Sequence, residues 1–258
     1  MTTTLTTVTR QNVRTGVYEL RPMGSLDLAG AASLRRSVLK VLPEQPRALL
    51  LGLDGVDVGN PVNLAVLPSL DKRAMLDCGI RLQCYADPTS ETGRLIHEGI
   101  GWRVALHADR TAALATADRK TAGSHRAYRH LEPGPDAVRQ ARAITLDCCR
   151  RWDLPHVADT AQLIVSELVT NAVQHAQTEM DLVLTHRGPR LHLQVRDTAY
   201  APALFPIEPF TSLVYRVGDD RIGGRGLMLV AMLSTACGTN VGTNAKTVWA
   251  TLQVRPAA

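Results

Sequence analysis

No apolar run in this chain is long enough to cross a bilayer. The longest lies at about 227–233, and a spanning helix needs roughly 20 apolar residues. The first 13 residues are threonine-rich and hold no apolar core segment, so a secretory leader is not expected. The five cysteines are an odd number, and the spacing of Cys78, Cys84, Cys148, Cys149 and Cys237 fits neither a disulfide framework nor a Cys-x-x-Cys metal knuckle. A reducing, cytoplasmic setting is therefore the expectation. Lysine is scarce, four of 29 basic residues. No dense basic run is present, and the strongest cluster, Arg119, Lys120, Arg126 and Arg129, reads as a solvated linker. No helix-turn-helix with a basic recognition helix is visible, so direct nucleic-acid binding is not expected.

What remains is an ordinary globular composition. Of 258 residues, 45% are hydrophobic and 21% charged, with a net charge of +5. Residues 1–118 alternate strand and helix signals. Residues 17–21 read as a strand, and 31–42 as a helix with Leu34, Val38, Val41 and Leu42 on one stripe. Residues 48–53 form a continuous apolar run of strand length, the pattern of a strand covered on both faces. Asn60-Pro61 reads as an N-cap with proline in the first turn, opening a helix over 62–76. A strand at 80–85 and short helices at 91–100 and 110–117 complete a mixed sheet with helical cover.

The stretch 119–133 shows little apolar periodicity and is expected to be a linker. Beyond it the rhythm changes. Helices are expected over 135–152 and 159–176. Residues 181–186 and 191–196 alternate around Arg187-Gly-Pro-Arg190, the pattern of a hairpin. A helix at 226–233 and a strand at 248–254, with Val248, Ala250, Leu252 and Val254 inward, close the chain. The fold class is thus two-domain, a mixed α/β half followed by an α+β sandwich with helices on one face of an antiparallel-rich sheet. Trp102, Trp152 and Trp249 are expected in cores, and the Cys148-Cys149 pair in helix packing. His125 and His130 have no cysteine or carboxylate at metal-ligand spacing, so no metal site is expected at them.

The candidate chemistry lies in the second half. Glu167, Asn171 and His175 recur every fourth residue on the helix expected over 159–176 and share one stripe. A base, an amide and an imidazole in one row can serve catalysis or ion binding, and the same spacing also fits the wet face of a plain amphipathic helix. Asp197 follows an alternating strand, where a carboxylate can accept from a base's exocyclic amine or simply shape a turn. Gly223-Gly224-Arg225-Gly226-Leu227 opens a helix, and backbone N–H groups at such a start favour phosphate.

Taken in this order, the segments over about 130–256 resemble a GHKL (Bergerat-fold) ATP-binding domain of the anti-sigma factor serine kinase type. Ser166-Glu-Leu-Val-Thr-Asn-Ala-Val-Gln-His-Ala176 is similar to that family's N-box, Val195-Arg-Asp197 to the start of the next box, Gly224-Arg-Gly-Leu227 to the glycine box, and Lys246-Thr-Val-Trp-Ala250 to the end strand. The resemblance implies ATP and Mg²⁺ as cofactors. It implies Asn171 as the Mg²⁺ ligand and Glu167 as the general base toward a serine hydroxyl. It further implies Asp197 on the adenine amine with Thr247 in support, Gly224, Gly226 and Leu227 at the phosphates, and a lid over 204–222 with Arg216, Arg221 and Arg225 as candidate phosphate partners. One departure stands out: Asp197-Thr-Ala-Tyr-Ala201 lacks the glycines usual after the aspartate.

Residues 1–118 resemble a STAS domain, the fold of anti-sigma factor antagonists, through Gly24-Ser-Leu-Asp-Leu-Ala29 and the segment 48–67. Where that family carries a phosphorylated hydroxyl, this chain has Asn60-Pro-Val-Asn63, so the half is expected not to be phosphorylated in the usual way. The implied assignment is a STAS-like domain over 1–118, a linker over 119–133 and a GHKL kinase-like domain over 134–258. The implied function is a cytoplasmic partner-switching kinase and anti-sigma factor. Its partners would be a separate STAS antagonist, a sigma factor, the chain's own STAS-like half and, since related kinases often pair, a second copy. The alternative is a catalytically weak or inactive binding module.

Overall fold

A computed structural model describes residues 4–101, 103–117, 124–198, 224–242 and 245–254. The chain divides into two compact units, Met1–Ala122 and Gly123–Ala258. No described helix is long and apolar enough to cross a membrane.

The first unit is built on a sheet that opens with a hairpin of β1 (Thr6–Asn12) and β2 (Val17–Ser25). The strands β3 (Ala48–Gly52), β5 (Leu82–Tyr85) and β6 (Ala105–His107) then follow in parallel beside β2, and the short β4 (Val56–Asp57) also pairs with β2. Asp27 caps α1 (Leu28–Val41) by accepting from Gly30 N. The helix α2 (Val66–Cys78) follows a 3-10 turn over Pro61–Ala65 and ends at Gly79 in the left-handed region. The helices α3 (Glu91–Ile100) and α4 (Arg110–Ala117) complete the unit.

The apolar run at 48–53 behaves as expected. Leu49 and Leu51 enter a core with Leu34, Val38, Leu67 and Ile96, while Ala48 and Leu50 face Ala113 of α4 on the other side. Each such leucine contributes about 1.5–3 kcal/mol through burial. Glu19 of β2 is a buried charged residue in this sheet. It accepts from Tyr85 Oη at 2.7 Å and from Arg110 Nε at 2.9 Å, so its buried charge is paired. Burial opposes the charge on Glu19, but the bonds from Tyr85 and Arg110 outweigh it and hold the carboxyl below its ordinary range.

The second unit is a five-stranded antiparallel sheet in the order β10-β11-β9-β8-β7: β7 (Ser124–Leu131), β8 (Met180–Arg187), β9 (Arg190–Asp197), β10 (Ala236–Val241) and β11 (Lys246–Gln253). The helices α5 (Pro135–Arg151), α6 (Ala158–His175) and α7 (Gly224–Leu233) contribute to the same core. Met180, Leu182 and Leu184 from β8, Leu191, Leu193 and Val195 from β9, and Val248, Ala250 and Leu252 from β11 meet Ala161, Ile164, Leu168 and Ala172 of α6. α5 is tied to α6 by Arg142 Nη1 donating to Ser166 Oγ at 3.2 Å and by Gln162 Nε2 donating to the Arg142 carbonyl at 3.0 Å.

In the second unit, two differences from the sequence reading concern strands. The stretch 119–133, expected as a linker, contains the edge strand β7, paired with β8 along its whole length. An edge strand has one neighbour and much exposed surface, so its apolar alternation reduces here to Ala127 and Leu131 against the core. β10 is likewise an edge strand, and its Gly238 and polar residues carry no period-2 signal.

The sheet face opposite the helices is polar. Register places Arg126, Thr185, His192 and Thr251 in one row across four strands. Arg126 Nη1 donates to Thr185 Oγ1 at 3.2 Å, and His192 Nδ1 lies 2.9 Å from Thr251 Oγ1. His192 is buried, and desolvation pushes its pKa down to about 3. Trp249 lies on this face, half-buried and tilted against His192, rather than in the core. Trp152 borders the core and stacks with His125 and His186. Trp102 lies outside the described residues. Cys148 and Cys149 are buried in α5, and desolvation raises both thiols, Cys149 to about 11. That environment suits packing and disfavours a reactive thiolate.

Candidate functional site

The site is organised by α6, which packs on β9, β11 and α7. Its apolar face is wide enough to bury most of the helix, and the polar stripe is carried inward with it. Asn171 is 7% exposed, and its Oδ1 has no hydrogen-bond partner among the described residues. A buried amide oxygen left open is costly unless a ligand or ion completes it. Glu167, one turn earlier on the stripe, is half-buried, and His175, one turn later, is exposed. The three residues thus run from the packed part of the helix to its wet end.

Glu167 meets the start of α7. A Cβ added at Gly226 would lie 2.3 Å from Glu167 Oε2 and 3.3 Å from Cδ. Only glycine permits this approach of carboxylate to backbone. The first turn of α7 therefore stands beside the carboxylate, with the unsatisfied N–H groups of a helix start at hand. Gly224 and Gly226 lie within that turn, and Leu227 packs partly buried against the core. The lid segment 204–222, with Arg216 and Arg221, lies outside the described residues, as do Ala199 and Ala201.

Asp197 ends β9, 1% exposed. Register sets it directly across from Lys246 in β11, and Nζ lies 3.5 Å from Oδ2 with the lysine side chain only 12% exposed. Thr247, expected beside Asp197, pairs instead with Arg196. Strand alternation puts it on the face opposite Val248, Ala250 and Leu252, away from the helices. The structure therefore joins Lys246 to Asp197 and separates Thr247 from it. The signal was present in the sequence: if Val248 faces inward, position 246 does too and position 247 cannot.

A second cluster went unseen because it joins two pairs, His130 with Glu132 and Glu179 with Asp181, that are remote from each other in sequence. His130 Nδ1 lies 3.0 Å from Asp181 Oδ1 and Nε2 3.4 Å from Glu179 Oε2. The hydrogen bond to Asp181 raises the imidazole's pKa. With Glu132 and Glu179, His130 could supply three ligand atoms within 4.8 Å of one another, all from exposed residues. Exposure on this scale marks a surface ion-pair cluster.

The orphaned amide of Asn171, the carboxylate against Gly226 and the glycine-started helix fit a phosphate–metal group. Asn171 would hold the metal, α7's first turn the phosphates and Asp197 the base.

Comparison with known proteins agrees in part. A structure of an anti-sigma factor antagonist from Mycobacterium paratuberculosis is 23% identical over 44% of this chain and 94% of that one, with a TM-score of 0.37. The RsbU and RsbW domains of Rv1364c from Mycobacterium tuberculosis are 18% identical over 52% of this chain and 34% of theirs, with a TM-score of 0.36. No curated protein sequence matches the chain. Residues 131–252, from the last residue of β7 to Leu252 of β11, match the family model described as the histidine kinase-like ATPase domain, and the C-terminal unit carries that domain.

Proposed function

We propose that the C-terminal unit binds Mg·ATP and transfers the γ-phosphoryl group to a serine or threonine of a separate STAS antagonist protein, within a bacterial partner-switching system. The observation that carries the reading is the buried, uncompleted Asn171 Oδ1 on the same helix stripe as Glu167, whose carboxylate rests on Gly226. Bound Mg·ATP supplies the electrophilic phosphorus and the metal charge that offsets the developing negative charge. Asn171 completes its side-chain acceptor on the metal. Asp197 accepts from the base, and the N–H groups at the start of α7 face phosphate oxygens. Glu167 takes the proton of the incoming hydroxyl as the new P–O bond forms and ADP leaves.

The same surface, in this reading, holds a sigma factor in the absence of the antagonist. The N-terminal unit acts as a permanent STAS-like partner. Its Asn60 caps the 3-10 turn by accepting from Val62 N, and no hydroxyl is present over Asn60-Pro-Val-Asn63. Cytoplasmic location and pairing with a second copy belong to the same proposal. The missing glycines after Asp197 favour one competing reading, a binding module without turnover.

Calorimetric titration of the full chain with Mg·ATP decides between them, with Asn171→Ala as control. Micromolar binding that disappears in the variant supports the site, and Glu167→Ala must then keep binding and lose phosphotransfer. No heat at millimolar nucleotide leaves the binding module.

A further inference from the structure

Where β7 and β8 run out, their pairing gathers four titratable side chains. His130 lies directly across from Asp181, and Leu131 across from Met180 is the last pair. Glu132 follows on the first strand and Glu179 precedes on the second. His130, Glu132 and Glu179 each offer a ligand atom, all within 4.8 Å of one another. We propose that these three residues bind a zinc ion, at a site independent of the nucleotide reading above.

The first argument is charge. Glu132, Glu179 and Asp181 are three carboxylates grouped around one imidazole. Among the described residues, no arginine or lysine forms an ion pair with Glu132 or Glu179. Arg196 stands on the far side of Asp181, on β9. Two carboxylates brought together at the end of a strand pair repel each other, and a divalent cation between them removes that cost. Without metal the cluster is a surface ion pair of little worth.

The second argument is the orientation of the ring. His130 Nδ1 lies 3.0 Å from Asp181 Oδ1, which also accepts from Tyr128 Oη at 2.8 Å. A carboxylate on Nδ1 makes that nitrogen the donor and leaves the Nε2 lone pair for a metal, as second-shell carboxylates do for histidine ligands. Nε2 is the nitrogen that faces Glu179, 3.4 Å from Oε2.

The third argument is reach. Zinc takes nitrogen and oxygen ligands at about 2.0–2.2 Å, so the three donor atoms must close to roughly 3.4 Å from one another. Both glutamates are exposed, and their tips can make this adjustment without moving the sheet. Three protein ligands leave a fourth position to water. An imidazole with two carboxylates suits zinc, whereas Mg²⁺ and Ca²⁺ take oxygen ligands alone. The bound ion ties the turn from β7 into α5 to the segment from α6 into β8.

The test is calorimetric titration of the tag-free, chelator-treated full chain with zinc chloride and, separately, with magnesium chloride. The expected result is one equivalent of zinc bound at micromolar concentration and no comparable heat with magnesium. His130→Ala should abolish this binding. Glu179→Gln should weaken it by about tenfold or more, and Asp181→Asn, which keeps the ligands and loosens the ring, by about 10–100-fold. His125→Ala, at the other exposed histidine of β7, should leave it unchanged. Glu179→Gln carries the test should His130→Ala fail to fold. In chelator, Glu132→Gln should melt at or above the wild type, because it removes one of two neighbouring carboxylates. No saturable zinc binding, equal binding of magnesium, or zinc binding that survives His130→Ala or Glu179→Gln undiminished overturns the proposal, whatever the nucleotide titration gives. A metal-free Glu132→Gln that melts well below the wild type also overturns it, since that carboxylate then serves the fold.

Discussion

Gly226 lies so close to Glu167 that a Cβ at position 226 would come within 2.3 Å of the carboxylate oxygen. The clashing atom is the tip of a flexible side chain, so Gly226→Ala moves the carboxylate rather than the helix. Alanine within a helix is also favoured over glycine by up to about 1 kcal/mol. The expected result is a melting temperature unchanged or slightly raised, with phosphotransfer down by about tenfold or more as Glu167 is displaced. A variant with full turnover and lowered stability would contradict the placement of Glu167.

Asn171 offers a sharper separation of stability from binding. Its Oδ1 is buried without a partner among the described residues, which leaves the desolvation of that oxygen uncompensated by them. Asn171→Leu fills the same space without it and should hold the stability or raise it by an amount on the order of 1 kcal/mol. The same variant should abolish Mg·ATP binding in the titration. A large loss of stability would show that the amide serves the fold and not a ligand.

His192 makes a pH prediction. In the unfolded chain its imidazole titrates near 6.5, and in the fold desolvation lowers it to about 3. The folded state therefore binds fewer protons in this window. The contribution is fully present above pH 6.5 and is lost progressively as pH falls toward 3. Between pH 7 and pH 5 this amounts to about 2 kcal/mol. Denaturant melts at the two pH values should show the loss, and His192→Gln should flatten it.

Gly52 of β3 supports the buried charge of the N-terminal unit. A Cβ there would meet Tyr85 Oη at 2.3 Å and Cζ at 2.5 Å. The ring is buried, packed with Leu50 and Ala113 and hydrogen-bonded to Glu19, and has less room to move than the half-buried Glu167 tip. Gly52→Ala should break the Tyr85–Glu19 hydrogen bond and cost about 2–4 kcal/mol. Calorimetry of the full chain should show one unfolding transition moved down and the nucleotide titration unaltered.

Much of this architecture could be read from the residues, and the parts that could not share a physical cause. The helix expected over 159–176 is Ala158–His175, and the hairpin around 187–190 is in place. Both are covered on one broad side, so periodicity writes them clearly. β1, β7 and β10 lie at sheet edges, where a single neighbour and a wet flank leave little alternation. The glycine at 226 was visible as a helix start, but its contact with Glu167 joins positions far apart and needed the fold. Lys246 was masked by its neighbour: a threonine looks like the natural companion of an aspartate, and only register decides which residue meets it.

The stripe Val248, Ala250, Leu252 and Val254 thus does more than fill a core. Because it keeps β11 in phase, it also determines which residue stands across from Asp197 at the strand's head. Losing or adding one residue between the stripe and position 246 would exchange the lysine there for another side chain without altering any site residue on α6, β9 or α7. In related chains a single-residue insertion or deletion at this point should change which side chain stands across from Asp197, whereas one in the loop before β11 should not.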